Sequence, residues 1–151
     1  MAYFDKYGVE FSDDRKTLVE CPKVFKGEYI IPDSVTSIGD AAFYHCTGLT
    51  SVKIPDSVTS IGEGAFFNCT GLTSITIGNC VTSIRYMAFM SCCELTSVEI
   101  SKSVTHIGAD AFMDCINLKE IIVPKGQKER FAQMEGLSEL ADLIVERENE
   151  E

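Results

Sequence analysis

Residues 31–53 read IPDSVTSIGDAAFYHCTGLTSVK, and residues 54–76 read IPDSVTSIGEGAFFNCTGLTSIT. Residues 77–99 (IGNCVTSIRYMAFMSCCELTSVE) and 100–122 (ISKSVTHIGADAFMDCINLKEII) keep the frame, so the chain repeats every 23 residues without an insertion. A further copy begins at Val123 and Pro124 and stops. Some apolar positions hold through all four copies: Ile31, Ile54, Ile77 and Ile100; Val35, Val58, Val81 and Val104; Phe43, Phe66, Phe89 and Phe112; Leu49, Leu72, Leu95 and Leu118. A single coil of this length cannot bury such rows alone. Stacked coils can, each covering its neighbour's face, which is the logic of a solenoid.

Within each copy the pattern assigns elements. Residues 49–54 are rich in β-branched side chains and predict a strand paired in parallel with the same segment of the next coil. Pro55, which has no N–H to donate, ends that strand. Residues 57–61 predict a second short extended piece. Gly39, Gly62 and Gly108 follow it and suggest a turn needing positive φ. Ala42 and Phe43, with their copies, suit a short helical turn that drops the ring inward, where each stacked Phe buries roughly 150–250 Å². The Thr and Ser rows are expected to stack hydroxyl on hydroxyl between neighbouring strands.

These copies resemble the leucine-rich repeats of the BspA-like type, through the signature Ile-Pro-x-x-Val-Thr-x-Ile-Gly-x-x-Ala-Phe-x-x-Cys-x-x-Leu-x-x-Val. It is nearly whole in the first two copies and covers about residues 31–124. The resemblance implies a right-handed leucine-rich-repeat solenoid of parallel β-strands and short helical turns, and a binding role. Family members are mostly surface proteins of bacteria and protozoa, some active in adhesion to host proteins or other cells. No catalytic residue is carried over, because the family shares no active site.

An array of this kind has two raw ends that need covering. Residues 1–30 predict a capping β-hairpin, formed by 9–12 and 17–20, and a partial first strand in which Glu28, Tyr29 and Ile30 are in phase with Ser51, Val52 and Lys53. Residues 125–151 predict a helical cap and an acidic tail. Phe131, Met134, Leu137, Leu140 and Ile144 fall at helix-like spacing there, and residues 147–151 read as a charged, frayed end.

The chain of 151 residues carries 13 Lys and Arg against 23 Asp and Glu, a formal charge of −10. That sign repels phosphate backbones and disfavours nucleic acid. No apolar run approaches the ~20 residues that cross a bilayer, so no membrane partner is expected. Residues 1–7 show no apolar block of a secretory signal. A cytoplasmic location is expected if the chain starts natively, and a secreted or cell-surface one if a leader was trimmed.

Cys46, Cys69, Cys92 and Cys115 form one row, with Cys21, Cys80 and Cys93 outside it. Buried inert thiols are the first reading of the row. A disulfide is the alternative, and the spacing matches no zinc module. An odd count of seven thiols suits a reducing compartment. His45 and His106 lie at different phases of the coil and read as surface substitutions. No acid, base and nucleophile share a phase in adjacent coils, so no enzyme activity, metal or cofactor is expected. Asn68-Cys69-Thr70 matches the glycosylation pattern but reads as an exposed turn. The Asp33 and Asp56 row reads as a solvated turn.

The remaining candidate is the outer surface. Ser51, Lys53, Ser74, Thr76, Ser97 and Glu99 should face outward from the long strand, a sheet on which leucine-rich repeats typically meet partners. Its centre lacks the Tyr, Trp and Arg of hot spots. The third copy departs from the others at Gly78, Cys80, Arg85, Tyr86, Met87, Met90 and Cys93. A partner-contact patch around Arg85, Tyr86 and Met90 is therefore the sharper expectation. The expected function is non-catalytic binding of an unknown protein partner. A structural role, in which the chain forms a homo-oligomer through its solenoid ends, is the alternative.

Overall fold

A computed structural model describes residues 1–148 of the chain. Two β-sheets run along a stack of coils. The first strands are β1 (Tyr3–Phe4), β2 (Glu10–Phe11), β3 (Thr17–Glu20) and β4 (Gly27–Ile30). The repeats then supply a short and a long strand alternately: β5 (Ser37–Ile38), β6 (Leu49–Lys53), β7 (Ser60–Ile61), β8 (Ser74–Thr76), β9 (Ser83–Ile84), β10 (Ser97–Glu99), β11 (His106–Ile107) and β12 (Glu120–Val123). A last strand is β13 (Ile144–Glu146). The short sheet has the order β1-β2-β3-β5-β7-β9-β11, and the long sheet β13-β12-β10-β8-β6-β4.

Register follows the repeat. Ser51 pairs with Ser74, Val52 with Ile75 and Lys53 with Thr76, while Ile38 pairs with Ile61 and Ile61 with Ile84. Residues 23 apart therefore lie rung over rung, the strands of the repeats pairing in parallel. Tyr29 pairs with Val52 and Ile30 with Lys53, the phase expected of a partial first strand.

The rows meet in one continuous core. Phe43, Phe66, Phe89 and Phe112 stack with ring centroids 4.7, 5.1 and 5.4 Å apart and planes within 6° of parallel. Each is at most 2% exposed, and the Val, Ile and Leu rows are buried with them. Like side chains at like positions make this packing transferable from rung to rung, so one solution for a coil solves the next.

Several local expectations are corrected. Gly39, Gly62 and Gly108 do not have positive φ; that conformation falls on Ala41, Gly64, Met87 and Asp110, and again on His45, Asn68, Ser91 and Asp114. The three glycines are needed for close approach instead. A Cβ on Gly62 would lie 2.7 Å from the Asp40 amide nitrogen, and one on Gly108 2.7 Å from that of Tyr86. No helix forms within the repeats: residues 40–48 and their copies are successive hydrogen-bonded turns. Alternating amides there donate to the next rung, as from Phe43 to Ala65, Phe66 to Ala88 and Phe89 to Ala111, each at 2.7 Å. This inter-rung ladder takes the donors a helix would use internally. The Thr hydroxyls do not pair with one another either. Those of Thr59, Thr82 and Thr105 donate to the carbonyls of Thr36, Thr59 and Thr82 at 3.1–3.3 Å.

At the amino end, β2 and β3 pair antiparallel and β1 adds a third strand outside β2. At the carboxyl end the structure differs from a helical cap. Among the described residues there, only Lys128–Ala132 is α-helical (α1), followed by single 3-10 turns at Glu135–Leu137 and Ala141–Leu143. Ile144 then pairs with Ile121 and Val145 with Ile122, closing the long sheet. Ile144 stands 23 residues after Ile121, so the β-branched pair completes a rung, and sheet pairing overrides helix-like spacing. Phe131, Leu137 and Ile144 are buried beneath the last coil. Of the residues expected in a frayed tail, Arg147 is anchored, its guanidinium reaching Glu99 at 3.1 Å and the Ile100 carbonyl at 3.0 Å. Residues 149–151 lie outside the described part.

Candidate functional site

Each coil turns twice, and the two turns separate the sheets. The side chains expected to contact a partner divide accordingly. Ser51, Lys53, Ser74, Thr76, Ser97 and Glu99 come together on the outer face of the long sheet, where Lys53 pairs with Thr76 and Thr76 with Glu99. Arg85, Tyr86 and Met90 lie elsewhere, on the long turn that leads from the short sheet to the long one. The two groups therefore form two surfaces.

The sheet surface is lined by small hydroxyls. Of its large apolar side chains Ile30 is the most open, at 62% exposure, and it stands at the amino edge. Arg147 and Glu99 border a shallow cavity of about 240 Å³ that also touches Thr76 and Asn79. Their ion pair occupies the charged groups there, which leaves the centre of this face without an anchor.

The turn surface is different. Tyr44, Phe67, Met90 and Met113 occupy one position in successive repeats, next to the buried Phe row in sequence. Amides alongside them join the rungs: His45 donates to Phe67, Asn68 to Met90 and Ser91 to Met113 at 2.7–2.9 Å. Tyr44 and Phe67 stack, with centroids 5.3 Å apart and planes within 10°. Tyr44 and Met113 are exposed, and Phe67 and Met90 are half-buried. Tyr86 is 43% exposed beside the row, while Arg85 pairs with Glu63 at 3.6 Å. An aromatic and thioether stripe thus crosses four rungs. Of this stripe, only Met90 stands out in the sequence, because the third copy departs most from the others. The signal for Tyr44, Phe67 and Met113 is the same 23-residue spacing, hidden because the row changes from aromatic to thioether midway while serving one surface.

Of the other third-copy departures, Gly78 and Cys93 have a structural reason, and nothing in the structure explains Cys80. A Cβ on Gly78 would press on the Pro55 carbonyl. Cys80 is exposed, and Cys93 is half-buried with its thiol against the Ser91 carbonyl at 3.5 Å. His45 is half-buried and exchanges a 2.7 Å hydrogen bond with Asn68, so it is a rung contact and not a free surface group. His106 is exposed on β11.

All seven cysteines are free thiols. In the row, Cys69, Cys92 and Cys115 donate to the carbonyls of Phe43, Phe66 and Phe89 at 3.0–3.3 Å. Burial pushes the Cys69 thiol up to about 12. Cys21 falls outside the row by spacing but joins it in space. It is buried against Cys46, whose thiol donates to the Cys21 carbonyl at 3.6 Å, and the adjoining Cys46 thiol, followed by burial, pushes Cys21 up. Its offset of 25 residues from Cys46 hid the contact. Thiols held protonated in apolar surroundings are poor nucleophiles and poor metal ligands. Among the described residues no three His, Cys, Asp or Glu side chains gather as a metal site.

The repeat and the fold are shared with known proteins. The profile of the BspA type leucine-rich repeat region matches residues 23–134 in six copies. The chain belongs to that family. Six strands in the long sheet give the same number, the sequence reading having counted four whole copies and left the partial ones at either end apart. A leucine rich cell surface protein of Faecalibacterium prausnitzii aligns with a TM-score of 0.74 and 30% identity over 98% of this chain and 38% of its own. The pneumococcal vaccine antigen PcpA aligns with a TM-score of 0.77 and 22% identity over 81% of this chain and 30% of its own, which speaks for the fold. The leucine rich repeat protein of T. pallidum aligns with a TM-score of 0.60 and 25% identity over 93% of this chain and 78% of its own. This chain therefore spans less than two-fifths of the first two structures. No curated protein matches it in sequence.

Proposed function

We propose that the protein is a non-catalytic protein-binding module, and that its contact surface is the turn face and not the sheet face. One observation carries the reading: the stripe of Tyr44, Phe67, Met90 and Met113, with Tyr86 at its side, is the run of large apolar side chains that the rungs place in line at the surface. Tyr is a frequent hot-spot residue, and Met adapts to irregular partner surfaces. The hydroxyl-lined sheet offers neither. A cell-surface setting is part of the proposal, supported by the description of the Faecalibacterium relative as a cell surface protein. The formal charge of −10 favours a protein partner over nucleic acid.

The test compares two double variants against a partner captured from the native cell. Y86E with M90E should weaken binding by about 2 kcal/mol or more, the loss expected from hot-spot side chains. S74E with T76E should leave it within about 0.5 kcal/mol, as for a surface change away from the contact. The opposite ranking places the contact on the sheet.

A further inference from the structure

The inter-rung ladder of the turn face runs out at the carboxyl end. In each earlier coil three alternating positions donate forward: Ala41, Phe43 and His45; Gly64, Phe66 and Asn68; Met87, Phe89 and Ser91. The same positions in the last coil are Asp110, Phe112 and Asp114, and among the described residues their amides have no acceptor. The chain that would supply the next carbonyls lies near residues 132–136. There it leaves the ladder, ending α1 and entering a 3-10 turn whose Leu137 amide bonds back to Met134 at 2.9 Å. The cap thus closes the sheets, through β13 and through Gly136 against Gly108, and leaves the turn edge open.

A groove of about 590 Å³ occupies the gap, with the last rung as one wall and residues 135–140 as the other. Asp110 and Asp114 stand on the first wall, Glu135 and Glu139 on the second, and no Lys or Arg lines it. Met113 and Ile116 add apolar surface, 47% and 76% exposed.

From these features we infer that the groove takes an extended peptide segment as an added rung. Backbone carbonyls of the segment accept from Asp110, Phe112 and Asp114, its aliphatic side chains cover Met113 and Ile116, and its Lys or Arg side chains face the four carboxylates. This is strand-type augmentation applied to a turn ladder. Charge sets the class of partner, because the lining carries carboxylates on both walls and nothing to balance them. The groove shares Met113 with the turn-face stripe, but Tyr86, Met90 and Phe67 are absent from it, so the variants that test one proposal leave the other's surface intact and either can fail alone.

The probe is acetyl-Lys-Val-Lys-Val-Lys-amide, titrated into the full chain labelled with nitrogen-15, with acetyl-Glu-Val-Glu-Val-Glu-amide as control. The amide resonances of Asp110, Phe112 and Asp114 should move downfield saturably with the lysine peptide and stay in place with the control. D114N with E139Q, both at exposed positions, should weaken the lysine peptide about tenfold and leave the melting temperature unchanged. Three results overturn the inference: no movement of these three amides, equal movement at acidic sheet positions such as Glu28, Glu99 and Glu120, or affinity unchanged in the double variant. Protection of the same amides in peptide-free protein that self-associates in sedimentation also overturns it, since a second copy would then be the occupant.

Discussion

Phe66 has a stacked ring on either side, at 4.7 and 5.1 Å, whereas Phe112 has one, at 5.4 Å. Truncating a buried Phe to Ala removes its transfer free energy and leaves a cavity, together about 3–5 kcal/mol. F66A should therefore fall in that range in urea unfolding, and F112A should lose less, because the open end can relax. An equal loss would mean that the row is not a chain of neighbours. The thiols give a second check. Cys80 should react first with a disulfide reagent in the native protein and Cys93 more slowly, with the five buried thiols silent until unfolding. The Cys69 thiol is held up to about 12, above its ordinary value of 9.0. Its contribution is thus complete below pH 9 and is lost as pH rises toward 12, with a slope approaching about 1.4 kcal/mol per pH unit. Urea midpoints that do not fall above pH 9 would contradict the burial. Much of this was legible in the chain, since four copies show which positions are fixed. Cys21 was not, because its coil is irregular and its partner sits out of phase.

Among the elements, the strands of the repeats were legible and the turns were not. Strands declare themselves by β-branched runs, as in residues 49–54. The turn of residues 40–48 takes its conformation from the rung above it, so positive φ falls even on Ala41 and Met87, which have no preference for it, while the copies at Gly64, Asn68, Asp110 and Asp114 carry residue types that favour it. The carboxyl cap misled for a related reason: α1 and the two 3-10 turns match helix-like spacing, but Ile144 and Val145 follow the sheet edge. Gly136 is the pivot of that cap. A Cβ there would collide with the Gly108 carbonyl oxygen. G136A should lower stability by about 1–3 kcal/mol, the cost of overpacking, and should speed hydrogen exchange in β13 more than in β6. Uniform exchange in both strands would mean that the cap is not a separate closing element.

For the molecule as a whole, the caps decide whether the array stays finite. Ending the chain at residue 143 removes β13 and uncovers β12, with Ile121 and Ile122 on a bare edge. Such edges recruit other strands, so the shortened protein should associate with rising concentration in sedimentation while the full chain does so less. The division into a hydroxyl-lined sheet and an aromatic and thioether turn face also belongs to this level. It was only half legible, because one sequence position looks unremarkable until four of them are stacked. Site-specific photo-crosslinking is the most direct test of that division. A benzoylphenylalanine placed at Phe67 or Met90 should capture the bound protein in the native cell, and one at Ser51 or Ser74 should not. Capture from the sheet positions with silence at Phe67 and Met90 would contradict the account.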